Sequence, residues 1–490
     1  MNIDYVLQNH GIGVYRKKDK TPPPPCTEVS ASVGINSQIT LNWKNPIDSD
    51  YVGLKILRKE GSYPTSMIDG TLIYTGANIS YTDISLTNGV TYYYRFFTFD
   101  WDNNYNETEL GQEVTGTPGY FEIYGVKIDT LNTNPATALT YTDNAVGLTP
   151  ALGNNGTFNA GSWADKFPFN AIKPCLFLNG VVNYYLNPLD FTKKADGSAS
   201  DITTGIDGDV MIEFPKVYWK FETIGTDVYI RYSSVKIDKG YKCLGHTKGI
   251  IEKDKCYISA YLGRILSSKH RSLSGYLPTA TQSLTNFRVY AHATGAGIEV
   301  LSYFQYLMLQ VLFIVMFKKR DSQSALGSGY TAENASSIAT GGTNAKGMFY
   351  GSTSTLLQNK FCGIEDIFGN LQYALDGLFF DGNRDILIGT ENYNNTGVGY
   401  INYGPYGTAT INAWLGTIQG GTETGFIYKG ATGASGTTHY CDAIYMGEAT
   451  IPFVGGFYNN TANYNGIFEM YALVGPNSES ASLGGRIGFL

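Results

Sequence analysis

FCGIEDIFGNLQYALDG, residues 361–377, is the stretch on which the reading of the fold turns. Gly363, Gly369 and Gly377 recur at short intervals, and glycine enters tight left-handed turns without steric cost. Asp366 and Asn370 are side chains suited to bond backbone groups inside such turns. Phe361, Ile364, Ile367 and Phe368 lie among them with neither a strand nor a helix period. The stretch therefore reads as a set of turns tied to a core by apolar anchors.

On its N-terminal side, VLSYFQYLMLQVLFIVMF (residues 300–317) is apolar on nearly every face and is followed by Lys318-Lys319-Arg320. Its length is at the lower edge for a membrane span, but Gln305 and Gln310 interrupt it and no second span exists. A helix apolar all round is equally what a domain core needs, and three cations suit the C-terminal end of its dipole. A buried core helix is expected. From there onward the chain is rich in Gly, Asn, Thr, Ser and Tyr, yet Met348, Phe349, Ile386, Leu387, Trp414, Ile451, Phe453 and Phe468 recur as apolar anchors. Long ordered loops on a small sheet fit that pattern.

Further towards the N-terminus, Phe214–Phe221 and Asp227–Tyr232 read as a strand pair within a strand-rich stretch. Residues 27–118 read as short strands between turn signals: residues 38–43 alternate towards a buried Trp43, and 52–58 and 90–96 also have period two. Pro22 to Pro25 favour a stiff polyproline spacer behind a short charged terminal segment.

Length and composition agree with this layout. The chain has 490 residues, 38 of them Tyr and 58 Gly, with 16% charged residues. That is not the profile of a helical protein, and 14% aromatic residues argue against disorder. A net charge of −7 leaves no basic footprint for nucleic acid. Tyrosine with small polar residues is the composition of recognition surfaces, because a two-torsion ring gives contact area at little entropy cost. The six scattered cysteines imply no disulfide framework, and residues 1–20 lack the apolar run of a secretory signal.

Two resemblances follow from these residues. Trp43, the Leu86/Tyr92 corner and Thr117-Pro118 make residues 27–118 resemble a fibronectin type III domain. Gly363, Asp366, Gly369 and Asn370 match the signature G-x-x-D-x-x-G-N-V-x-E-W. Residues from about 120 onward thus resemble the C-type-lectin-like fold of formylglycine-generating enzymes and retroelement-diversified phage proteins. Gln372-Tyr373-Ala374 replaces the end of the signature and weakens the enzyme comparison. The core helix, residues 320–327 and Gly484-Gly485-Arg486-Ile487 fit the phage branch.

The resemblances imply a multidomain protein: an all-β fibronectin III-like sandwich, then an α+β C-type-lectin-like domain with long ordered loops. The expected layout is a docking arm and Pro-rich linker over 1–26, the sandwich over 27–118, a β-rich intermediate region over 119–225 and the ligand-binding domain over 226–490. The glycine-bounded stretch 455–466 would be the display loop, diversified in that family at adenine positions. Its candidate ligand-binding residues are Phe457, Tyr458, Asn459, Asn460, Asn463, Tyr464 and Asn465. Gly363, Asp366, Gly369 and Asn370 would hold the scaffold beneath. The implied function is a virion receptor-binding protein at a phage tail fibre or baseplate tip, attached through its N-terminus to other tail proteins and meeting a bacterial glycan or protein. A homotrimer is expected, without nucleic acid or membrane insertion. The alternatives are a purely structural decoration protein and a surface-polysaccharide depolymerase.

Chemistry beyond binding finds little support in the sequence. Cys362 and Cys441 lie outside any paired motif, and the five histidines are dispersed. Glu365 and Asp366 are neighbours in a turn, whereas glycan hydrolysis needs two carboxylates flanking a groove. No enzyme activity is expected. Cys243, His246, Cys256 and His270 have no common zinc spacing. Asp381–Asp385 and Asp100–Asn104 begin like calcium loops but lack the turn glycine and the closing Glu. No metal or cofactor is assigned; calcium in a lectin-like loop is the one left open.

Overall fold

A computed structural model describes every residue except 1–2, 9–10, 17–18, 33–34, 109–111, 120, 333 and 462–463. Strands dominate and helices are few. The chain divides into two compact units: Met1–Glu122 with Val235–Asp238, and Ile123–Ser234 with Lys239–Leu490.

In the smaller unit, Ile3–Gln8 and Gly11–Arg16 pair as an antiparallel hairpin. Seven further strands form two sheets. One has the order Thr27–Ala31, Gln38–Lys44, Ser80–Ile84; the other runs Thr71–Gly76, Gly53–Glu60, Tyr92–Phe99, Glu113–Gly116. Alternation along Gln38–Lys44 sends Ile39, Leu41 and Trp43 inward and leaves Asn42 and Lys44 in solvent. Trp43 meets Phe96 of the other sheet edge-on at 5.4 Å. The buried Asp83 links the two sheets, accepting from Arg58 at 2.9 Å and from the Tyr94 hydroxyl at 2.9 Å. The Thr87 amide donates to the Tyr92 hydroxyl at 3.1 Å and closes the corner before the Tyr92–Phe99 strand. Pro23 is buried, and its carbonyl accepts from Thr98 Oγ1 at 3.2 Å and Asn106 Nδ2 at 3.1 Å. The proline run, expected as a stiff spacer, is thus fastened along the sandwich through its carbonyls.

The larger unit has a seven-stranded sheet in the order Asp190–Lys194, Val181–Asn187, Lys173–Leu178, Asp209–Pro215, Lys255–Ser259, Ile487–Phe489, Ile298–Val300. A four-stranded sheet runs Leu139–Asp143, Ile123–Ile128, Asp227–Ser233, Tyr218–Ile224. These ladders cross residue 225, so 119–225 is not a separate intermediate region. Asp209–Pro215 and Lys255–Ser259 are neighbours, and residues on both sides of the expected boundary share one core.

Helix α1 spans Leu284–Thr294, α2 Tyr303–Phe317 and α3 Ser322–Leu326. All residues of α2 are buried. Its N-terminus is a capping box: the Ser302 hydroxyl accepts from the Gln305 amide, and Gln305 Oε1 accepts from the Ser302 amide, each at 3.2 Å. Lys318 closes it in the left-handed region. Gln310, which interrupts the apolar run, donates to the Ile467 carbonyl at 2.8 Å. At about 1.5–3 kcal/mol per large apolar side chain, before ordering entropy, burial of this helix is a large favourable contribution. No described helix is long and apolar enough to cross a membrane.

Candidate functional site

A six-stranded sheet carries the candidate loop, in the order Ile411–Trp414, Ala443–Met446, Met470–Val474, Ile451–Val454, Gln372–Ala374, Leu483–Gly484. Ile451–Val454 and Met470–Val474 are antiparallel neighbours, and residues 455–469 form the long connection between them. Ile444, Met446, Met470 and Ala472 face the same core as α2. The alternate residues Tyr445 and Tyr471 are half-buried on the other face, with rings 5.8 Å apart.

The turn motif at residues 361–377 supports this loop from below. Gly363, Asp366, Gly369 and Asn370 all have positive φ and all are buried. Asn370 does the backbone work expected of it: its Oδ1 accepts from the Ile338 amide at 3.0 Å and its Nδ2 donates to the Ile338 carbonyl at 3.1 Å. Asp366 instead serves side chains, accepting from Asn370 Nδ2 at 2.8 Å and Gln358 Nε2 at 2.6 Å. Burial and the adjacent Glu365 push the Asp366 carboxyl well above the usual carboxylate range. Arg486 closes the turn from behind, with Nη2 donating to the Asp366 carbonyl at 2.7 Å and the guanidinium 4.7 Å from the Tyr373 ring centroid.

From that base the loop backbone is pinned at several points. The Tyr458 amide donates to the Asn370 carbonyl at 3.0 Å, the Asn334 amide to the Tyr458 carbonyl at 3.0 Å and the Ala332 amide to the Asn460 carbonyl at 2.8 Å. Glu469 holds the loop entrance: one oxygen accepts from the Gly456 amide at 2.9 Å and the other from Gln372 Nε2 at 2.7 Å. Burial raises its carboxyl to about 8. Asp442 holds the exit, accepting from the Phe468 amide and the Ser322 hydroxyl, each at 2.9 Å. Gly456 has φ +68°, and a Cβ there would lie 1.7 Å from Asn465 Oδ1, so no larger residue fits.

The candidate ligand-binding residues separate into different roles. Asn459 is exposed. Phe457, Tyr458, Asn460 and Tyr464 are half-buried, with Tyr458 leaning on the main core. Asn465 is fully buried and belongs to the scaffold, a correction of its expected ligand-binding role. Its Oδ1 accepts from the Phe457 amide at 3.0 Å and Asn460 Nδ2 at 3.3 Å, while its Nδ2 donates to the Thr461 carbonyl at 3.1 Å. Asn463 lies outside the described residues.

Composition missed three residues of this surface. Trp414, read as a core anchor, is half-buried and stacks on Tyr464 with centroids 4.9 Å apart and planes at 18°. Tyr445 and Tyr471 complete the aromatic set. Their alternation with Ile444/Met446 and Met470/Ala472 is the period-two signal of strands with one open face. Half-buried rings beside an exposed amide offer contact area together with adjustable hydrogen bonding.

The candidate metal ligands fare differently. Among the described residues the only convergent trio of metal-type donors is Asp19, Asp50 and Asp100, whose carboxylate oxygens lie within 4.8 Å of one another. Asp100 Oδ1 already accepts from the Asp102 and Asn104 amides, at 2.9 and 2.8 Å. His246 and His270 are buried, and burial lowers each to about 4. All six cysteines are free and buried, and desolvation pushes each thiol up.

No family model matches the sequence, and no curated protein matches it. Among solved structures, PvdO from Pseudomonas aeruginosa aligns over 59% of this chain and 97% of that chain, at 9% identity and a TM-score of 0.27. The Major Tropism Determinant P3c variant aligns over 98% of this chain and 89% of that chain, at 11% identity and a TM-score of 0.20.

Proposed function

We propose that this chain is the receptor-binding protein of a phage tail or tail-like particle and acts by binding, without turnover. In this reading the seven-stranded sandwich is a fibronectin III-like spacer, the larger unit is C-type-lectin-like, and the N-terminal segment docks to other tail proteins. A homotrimer on a multivalent particle would multiply individually weak contacts, and avidity raises effective affinity ~10²–10⁴-fold without new contacts. The observation that carries the reading is the loop at residues 455–469. Its backbone is fixed to Ala332, Asn334, Asn370 and Glu469, while Asn459 and the Trp414–Tyr464 stack face outward at least in part.

The test is adsorption of the fluorescently labelled full chain to a panel of bacterial isolates. Binding to some of them, lost in a folded Trp414→Ala/Tyr464→Ala variant, supports the proposal. Binding that the variant keeps unchanged, or no binding to any isolate by chain or particle, leaves the decoration role as the better reading. Release of soluble sugar from bound envelopes would instead establish a depolymerase.

A further inference from the structure

We propose that the larger unit contains a second, independent site, a cavity that binds an anionic sugar, with Arg320 as its fixed cation. The cavity, of about 190 Å³, lies between the strands Ile123–Ile128 and Asp227–Ser233 and the short hairpin of Thr417–Ile418 with Tyr428–Gly430. It shares no lining residue with the 455–469 loop. At roughly 15 Å³ for each water it has room for on the order of ten, more than a bare oxyanion needs.

Arg320 is the reason to expect a ligand. Its side chain is 1% exposed and its hydrogen bonds go to backbone carbonyls; the one carboxylate that acts on it, Asp129, does so through space without a direct bond among the described residues. Its Nη2 donates to the Asn132 carbonyl at 2.5 Å and the Asn134 carbonyl at 3.4 Å, and its guanidinium lies 5.5 Å from the Tyr440 ring centroid. The Nε–H has no acceptor. Two carbonyls and a ring only partly compensate a buried cation, which proteins ordinarily match with an anion. Desolvation accordingly pushes this guanidinium below its usual range.

The rest of the lining suits a sugar. Lys429 is exposed at the cavity and forms no ion pair among the described residues, so a second cation is available to an incoming anion. Thr223 and Thr417 are exposed and supply hydroxyls. Gln419 spends its Nε2 on the Tyr428 carbonyl at 2.9 Å, which leaves its Oε1 to accept from a ligand hydroxyl. Ile128, Val228 and Ile418 give the apolar wall against which a pyranose face packs. One anionic group with several hydroxyls on a small ring meets all of these demands.

The experiment titrates the full chain with glucuronate, glucose 6-phosphate, glucose and inorganic phosphate, read by calorimetry and saturation-transfer NMR. At least one anionic sugar should bind, with glucose about tenfold weaker or more, the cost of losing a charge-assisted contact. Glucuronate and glucose 6-phosphate separate a carboxylated from a phosphorylated ligand. Arg320→Met should abolish binding and Lys429→Ala should weaken it several-fold, while Trp414→Ala leaves it unchanged. If Arg320→Met fails to fold, Thr417→Val with Lys429→Ala carries the same test. The proposal is overturned if neither anionic sugar binds up to roughly 10 mM. It also fails if folded cavity variants bind as well as the parent, or if phosphate alone binds as tightly as the sugars.

Discussion

Replacing Asn465 by Ala tests whether the candidate loop is a rigid platform or an ordinary surface loop. The buried amide makes three hydrogen bonds, two of them to backbone groups of Phe457 and Thr461. A net hydrogen bond contributes about 1 kcal/mol, and a buried group left without a partner costs about 1–3 kcal/mol. Losing the bonds to Asn460 and Thr461 and stranding the Phe457 amide gives about 3–5 kcal/mol of destabilisation. The comparison is Asn459→Ala, an exposed position where the cost stays within about 0.5 kcal/mol. Urea unfolding gives the two free energies, and peptide-level hydrogen exchange across residues 456–465 reports local opening. Asn465→Ala should shift both readouts and Asn459→Ala neither. If Asn465→Ala unfolds within about 0.5 kcal/mol of the parent and its exchange over that stretch is unchanged, the platform reasoning is wrong.

Three further outcomes follow from the same geometry. Burial raises the folded Glu469 carboxyl from an ordinary 4.5 to about 8, so its contribution to stability is fully present below pH 4.5 and is lost as pH rises through 8. Urea midpoints at pH 5 and pH 8.5 should differ less in Glu469→Gln than in the parent; an equal difference would rule out this carboxyl as the source. Asn370→Ala removes three side-chain bonds and places a Cβ-bearing residue without an amide at φ +63°, and calorimetric or urea unfolding should register a loss of about 3–5 kcal/mol. Trp414→Ala should weaken cell adsorption at least about tenfold while costing under ~1.5 kcal/mol of stability; a larger stability loss in urea would mark Trp414 as a core residue after all.

Some of this architecture was legible in the residues. The near-continuous apolarity of residues 300–317 marked α2 as interior, and the two glutamines that interrupt it found structural partners, Gln305 in the capping box and Gln310 on Ile467. The glycines of the turn motif marked its left-handed turns, while the positive φ of Asp366 and Asn370 emerged only in the structure. The direction of Asn465 was not legible. An asparagine in a polar loop looks alike whether its amide faces water or satisfies backbone groups inside, and only the close approach of Gly456 fixes the answer. For the proline run stiffness was readable, but the hydrogen bonds from Thr98 and Asn106 to its carbonyls are tertiary and were not. Trp414 looked like core because of its type, although a ring at a sheet edge can be covered on one side only.

The place of Ile487–Phe489 between Lys255–Ser259 and Ile298–Val300 has a kinetic consequence. A nascent chain emerging from the ribosome exposes the partners of that strand long before residue 489 is made. The sheet therefore waits with a gap in its ladder, and its two unsatisfied flanks are open to wrong pairing in the interval. Such long-range closure predicts slow maturation and a gain in yield from chaperones or lower growth temperature.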